Sequence, residues 1–130
     1  MSYISKDEQI LGKIERYIIA LADIYKDVKN LNDDELEYNR DAFAMMQCIT
    51  NIYEVFKHID NDQVGDKLNV LSSRHISKLR NISAHEYSAI NWKIAKEVCE
   101  KILNQVTKDK LDSCMDIIKS ELNGIKDYAL

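Results

Sequence analysis

The chain contains no proline in 130 residues and only three glycines, Gly12, Gly65 and Gly124. The two residue types that most disfavour a helix interior are therefore nearly absent. What remains is read by periodicity. From Ser5 to Val28, apolar residues recur as Ile10, Leu11, Ile14, Tyr17, Ile18, Leu21, Tyr25 and Val28, a three-four spacing that places them on one stripe of a helix. Asn32 or Asp33 can cap a second helix, predicted over Asp34 to Ile59, with Phe43, Met46, Ile49, Tyr53, Phe56 and Ile59 on its stripe. Asp60-Asn61-Asp62 and Gly65-Asp66 read as a polar break. A third helix is predicted from Lys67 to near His85, with Leu68, Leu71, His75, Leu79 and Ile82 on one side. Asn91 suits the N-cap of a fourth, Trp92 to Gln105. A fifth is predicted from Lys108 to Leu122, with Gly124 as its stop. No stretch alternates with the period of a strand. Short connections between long amphipathic helices predict an all-α, up-and-down antiparallel bundle forming one domain over residues 1–130, with four core helices and a C-terminal helix.

Several classes of function are excluded at this stage. Cys48, Cys99 and Cys114 are odd in number and form no C-x-x-C pair, so they read as buried free thiols, not disulfides or a metal site. The first fifteen residues lack an apolar run and carry Asp7 and Glu8, unlike a signal peptide. No apolar run approaches the ~20 residues of a membrane span. A cytoplasmic protein without membrane attachment is the expectation. There is no Gly-rich phosphate loop, no G-x-S-x-G and no H-E-x-x-H, so neither a metal nor a cofactor is expected.

The net charge is −4, unsuited to general coating of nucleic acid. The distribution is uneven, however. Residues 67–96 hold six bases, Lys67, Arg74, Lys78, Arg80, Lys93 and Lys96, and one acid, Glu86. That window carries +5, leaving −9 on the rest of the chain. A positive patch on an acidic body suits a phosphate-binding site of limited footprint, although charge runs more often form a solvated face. Arg74, Lys78, Lys93 and Lys96 are the candidate RNA contacts.

Three histidines are available. His58 ends the second predicted helix, where a cation suits the dipole. His75 sits on the apolar stripe of the third and reads as a packed core histidine. His85 lies inside the basic window, five residues after Arg80. Five residues advance about 140° around a helix, so the two would not share a face of a continuous one. The spacing fits a helix that ends near His85, or a site completed by a partner subunit. A histidine titrating near neutrality can accept the proton of a ribose 2′-hydroxyl or donate one to the leaving oxygen. An arginine fork can hold the scissile phosphate, with Asn81 or Ser83 orienting the phosphate or the imidazole. These parts suit cleavage of RNA without a metal.

Arg80-Asn81-x-x-x-His85-x-Tyr87 resembles the R-x4-H-x-Y motif of HepT-type toxins in the HEPN superfamily. Ile90-Asn91-Trp92-Lys93-Ile94-Ala95 resembles the segment that follows it in those proteins, and Ile52-Tyr53-Glu54 resembles part of their apolar second helix. The resemblance covers about the central half of the chain. It implies a homodimer whose Arg80 and His85 side chains face one cleft. It implies a metal-independent endoribonuclease that leaves a 2′,3′-cyclic phosphate on tRNA or mRNA. It also implies a type VII-like toxin-antitoxin system, with a minimal MntA-like nucleotidyltransferase antitoxin that adds AMP to Tyr87. The alternative is a non-catalytic HEPN nucleotide-binding or docking subunit of a nucleotidyltransferase.

Overall fold

The computed structural model describes residues 5–72, 78–79 and 90–129, with side chains up to residue 123. Among the described residues the chain forms six α-helices and one 3-10 turn, and no strand. They are α1 (Lys6–Val28), α2 (Asp33–Leu36), α3 (Arg40–Phe56), α4 (Asp62–Lys67), the 3-10 turn Asn69–Ser72, α5 (Trp92–Gln105) and α6 (Lys108–Ala129). The all-α fold anticipated from the sequence is observed. No helix among the described residues is long and apolar enough to cross a membrane.

Helix α1 is the axis of the fold. Its start is fixed by Ser5, whose hydroxyl accepts from the Glu8 amide at 3.2 Å, and Asp7 and Glu8 oppose the positive end of its dipole. Ile10, Leu11, Ile14, Leu21 and Val28 of its predicted stripe are buried, whereas Tyr17, Ile18 and Tyr25 are half-buried at the edge. Among the described residues, the most extensive packing is that of α1 on α3. The pair is antiparallel, as its polar contacts show: Asp7 meets Asp60 and Asn61 just beyond the end of α3, while the Tyr17 carbonyl accepts from the Cys48 thiol at 3.1 Å. From α3, Ala42, Met45, Met46, Ile49 and Ile52 complete this part of the core.

Helices α5 and α6 lie along α1 in sequence, end to end. Tyr25 and Leu31 contact Glu100 and Lys96 of α5, and Glu15 pairs with Lys108 of α6 at 3.7 Å. Both helices therefore run antiparallel to α1, one along its second half and one along its first. The connection Val106–Thr107 is too short to reverse the chain here. Val106 is buried, and the Thr107 hydroxyl accepts from the Lys110 amide at 3.2 Å, so α6 starts at once in nearly the same direction. The rule that short connections give side-by-side antiparallel helices fails at this one joint. Inward residues match the reading of the sequence: Ala95, Val98, Cys99 and Ile102 from α5, and Leu111, Cys114 and Ile118 from α6, are buried.

Three boundaries differ from expectation. The predicted helix Asp34 to Ile59 is divided. Leu36 is buried, Glu37 is extended (φ −65°, ψ 129°), Tyr38 has φ 64°, and the Asn39 amide donates to the Leu36 carbonyl at 3.1 Å. This is a type II turn with tyrosine where glycine is usual, and Asn39 then caps α3 by accepting from the Ala42 amide at 2.9 Å. The expected break at Gly65-Asp66 is instead helical: Asn61 caps α4 by accepting from the Val64 amide at 3.0 Å, and Gly65 lies within that helix. Gly124 likewise does not stop α6, which runs to Ala129. At Leu36–Asn39 a buried leucine and a capping asparagine make a turn without glycine, and at Gly65 a capping asparagine starts a helix that runs through the glycine. Lys67, the predicted start of the third helix, ends α4, and the rest of that predicted helix, from residue 73, is mostly outside the described residues.

Asp7 closes the structure at the base of α1. It is buried, and its two carboxylate oxygens accept from the backbone amides of Asp60 and Asn61, each at 3.0 Å. Lys6 pairs with Asp60 at 3.0 Å, and the Asn61 side chain donates to Glu121 of α6 at 2.8 Å. One carboxylate thus ties α1, the α3–α4 connection and, through Asn61, α6. Asp7→Ala leaves two amides without their charged acceptor and is expected to destabilise the fold by about 3 kcal/mol, read as a lower urea midpoint at unchanged slope.

Candidate functional site

Arg74, Arg80, Asn81, Ser83, His85 and Tyr87 lie outside the described residues, as does His75. The frame on either side of the motif is described. Leu79, directly before Arg80, is 3% exposed, and Ile90, three residues after Tyr87, is 6% exposed. The 80–89 stretch, rich in polar residues, is therefore flanked in the sequence by a core residue on each side.

The downstream anchor is strong. Asn91 accepts from the Ile94 amide at 3.2 Å and begins α5. Trp92 is buried and meets Phe43 of α3 edge-on, with ring centroids 5.4 Å apart and an interplanar angle of 76°. The first turn of α5 has no acid and carries exposed Lys93, so its lysine and the positive end of the helix dipole act together toward an anion. Lys78 is exposed beside Leu79. Lys96 is half-buried, and its ammonium donates to the Leu31 carbonyl at 3.3 Å.

Other candidates are positioned plainly. His58 is exposed just past α3, and its backbone amide donates to the Val55 carbonyl at 3.2 Å. Ile52 is fully buried, Tyr53 is half-buried, and Glu54 pairs with Lys57 at 2.6 Å. Among the described residues no three His, Cys, Asp or Glu side chains gather in a group able to hold a metal ion. The reading of the sequence did not anticipate the contact between the Tyr25 hydroxyl and the Glu100 carboxylate. Burial, and then the bond to Glu100, push the Tyr25 phenol well above its ordinary value. Tyr25 had registered only as an apolar position, because periodicity reports the face of a ring and not its hydroxyl.

With this frame in place, comparison with known families identifies the class. The chain matches the Ribonuclease HepT-like family over residues 7–128 and belongs to it. The match takes in every described helix except the first residue of α1 and the last of α6. No curated protein and no solved structure matches the chain.

The cysteines are free and buried, as the sequence implied. Burial raises the Cys48 thiol from the ordinary 9 to about 11 and Cys99 to about 12, and also raises Cys114. Since the thiolate is the nucleophile, none of the three is poised for covalent catalysis. A raised thiol value in the folded state adds stability below the unfolded value near 9 and loses it as pH climbs toward 11 and 12. All three thiols are expected to resist a disulfide reagent at pH 8 in the native protein and to react fully in denaturant. Native stability is expected to fall between pH 9 and 12; rapid native labelling of any cysteine would contradict this assignment.

Proposed function

We propose that the protein is the toxin of a type VII-like toxin-antitoxin system and cuts RNA without a metal, using Arg80 and His85 from two copies of the chain at a shared cleft. The observation that carries this reading is the family match over residues 7–128 combined with a complete Arg80-x4-His85-x-Tyr87 motif between two core anchors. His85 of one copy accepts the proton of a ribose 2′-hydroxyl, and that oxygen attacks the adjacent phosphorus. The 5′-oxygen departs with a proton drawn from water, which His85 then restores, leaving a 2′,3′-cyclic phosphate on one fragment and a 5′-hydroxyl on the other. Arg80 holds the non-bridging oxygens as charge builds on them, and Asn81 and Ser83 orient the phosphate or the imidazole. Arg74, Lys78 and Lys93 hold the flanking phosphates, and Lys96 retains two N–H donors beyond the one given to Leu31.

Tyr87 serves control in this scheme. An MntA-like nucleotidyltransferase transfers AMP from a nucleoside triphosphate to its hydroxyl and releases pyrophosphate. The bulky anion added beside Arg80 and His85 then competes for the phosphate site and repels RNA.

His85→Ala is expected to lower RNA cleavage by about 10²–10⁴-fold and to abolish growth inhibition, with the helical circular-dichroism spectrum intact. An RNA carrying 2′-deoxyribose at the cut site should remain whole. Cleavage by the variant at the wild-type rate would remove His85 from the mechanism. Expression that is harmless without any partner would favour the non-catalytic docking module.

A further inference from the structure

A cleft of about 370 Å³ lies between the end of α3 and α4, and none of the candidate RNA contacts lines it. Its apolar surface comes from α3 and the residues that follow: Phe56 is buried, and Tyr53 and Ile59 are half-buried. Gly65 of α4 also lines the cleft, and a Cβ built there has open space before it. The polar groups on the walls differ in what they have left to offer. Asn61 is committed: its side chain accepts from the Val64 amide at 3.0 Å and donates to Glu121 at 2.8 Å. The Ser72 hydroxyl donates to the Asn69 carbonyl at 2.9 Å and keeps its lone pairs as acceptors. The Lys57 ammonium meets Glu54 at 2.6 Å and keeps two of its three N–H donors. Asp62 and Asp66 are exposed and four residues apart on one face of α4. Among the described residues neither carboxylate has a hydrogen-bond or ion-pair partner.

The cleft thus combines a ring-bearing apolar surface, an excess of acceptors, and one base, Lys57, against two acids, Asp62 and Asp66. The ligand that suits it has a flat apolar face, several N–H or O–H donors and no large negative charge. An alkylamine lacks the face, and an inorganic anion has the wrong charge. A plain aromatic molecule leaves the carboxylates without donors. A nucleoside meets all three demands: its base covers the apolar surface, and its base edge and ribose diol supply the donors. A cleft of this volume is of the size that holds a small ligand. Among the common bases, only guanine presents two adjacent N–H donors, on its ring imino and 2-amino nitrogens, to a single carboxylate. Adenine and cytosine set a lone pair beside the amino group, and uracil flanks its one N–H with carbonyls; each repels a carboxylate. We propose that this cleft is a guanosine-binding site. The base lies on Tyr53, Phe56 and Ile59. One of Asp62 and Asp66 accepts from the imino and amino N–H groups, the other from the ribose diol, and Lys57 donates to the base carbonyl. The two acids disfavour added phosphates, so the nucleoside binds better than its triphosphate. The proposal does not rest on the nuclease reading, because no residue of the 80–87 motif takes part.

The test is a titration of the full chain with guanosine, up to about 1 mM, followed by heteronuclear NMR. Shifts are expected at the Lys57, Gly65 and Asp66 amides and not at those of Ile14 and Met46 in the core. Adenosine, cytidine and inosine, which lacks the 2-amino group, should bind about tenfold more weakly than guanosine. Guanosine triphosphate should also bind more weakly. Asp62→Asn combined with Asp66→Asn should weaken guanosine by about tenfold or more. Gly65 has no positive φ, so Gly65→Leu places a side chain in the open space without backbone strain. It should abolish the guanosine shifts while the urea midpoint holds or rises, because leucine is the better helix former. The proposal is overturned if guanosine at that concentration shifts none of the three amides, or if adenosine or the triphosphate binds as tightly. It is also overturned if the double aspartate variant or Gly65→Leu binds guanosine as wild type does. Agmatine shifting these amides where guanosine does not would mark a guanidinium site and likewise overturn it.

Discussion

Everything in this fold is referred to α1. One helix of 23 residues receives α3 along its length, then α5 along its second half and α6 along its first. The apolar stripe from Ile10 to Val28 supplies the driving force, at roughly 25 cal/mol for each Å² of apolar surface removed from water. That force is not directional, so alignment is left to a few polar groups at defined heights on α1. Asp7 fixes the base against the α3–α4 connection, the Tyr17 carbonyl meets Cys48 midway, and Tyr25 with Leu31 fixes α5 at the top. Removing the Asp7 carboxylate leaves the core's apolar composition intact, yet it unpairs the amides that hold α1 in place and costs stability.

Much of this was legible in the chain. The stripes of α1, α5 and α6 follow from three-four spacing, and Asn91 announced the start of α5 because a capping side chain acts within its own turn. The burial of the three thiols followed from their apolar neighbours and the absence of any ligand spacing. Two of the three misplaced boundaries share a cause. Gly65 and Gly124 were weighed as breakers, but an isolated glycine costs a helix only about 1 kcal/mol relative to alanine, which tertiary packing readily offsets. The turn at Leu36–Asn39 was hidden because its left-handed residue is Tyr38 and not glycine. The roles of Asp7 and Tyr25 were beyond reach, since each depends on a partner 53 to 75 positions away.

For the candidate site, the sequence and the fold contribute different things. In the proposed function, Arg80, His85 and Tyr87 carry the chemistry and the basic window supplies its electrostatic setting. The fold contributes the frame: Leu79 and Ile90 in the core on either side, Trp92 against Phe43, and α5 locked on α1. Membership of the Ribonuclease HepT-like family joins the two and makes RNA the natural substrate class. The odd five-residue interval between Arg80 and His85, a mismatch for one helix face, becomes intelligible if the two groups act across a pair of subunits.

That composite cleft is the central claim, and mixing two inactive variants tests it directly. Arg80→Ala and His85→Ala proteins are unfolded together and refolded, so that subunits exchange, and RNA cleavage is compared with each variant alone. The account predicts that the mixture regains cleavage, because a mixed dimer holds one intact arginine and one intact histidine in the same cleft. A mixture that forms mixed dimers and stays as inactive as its components would contradict it.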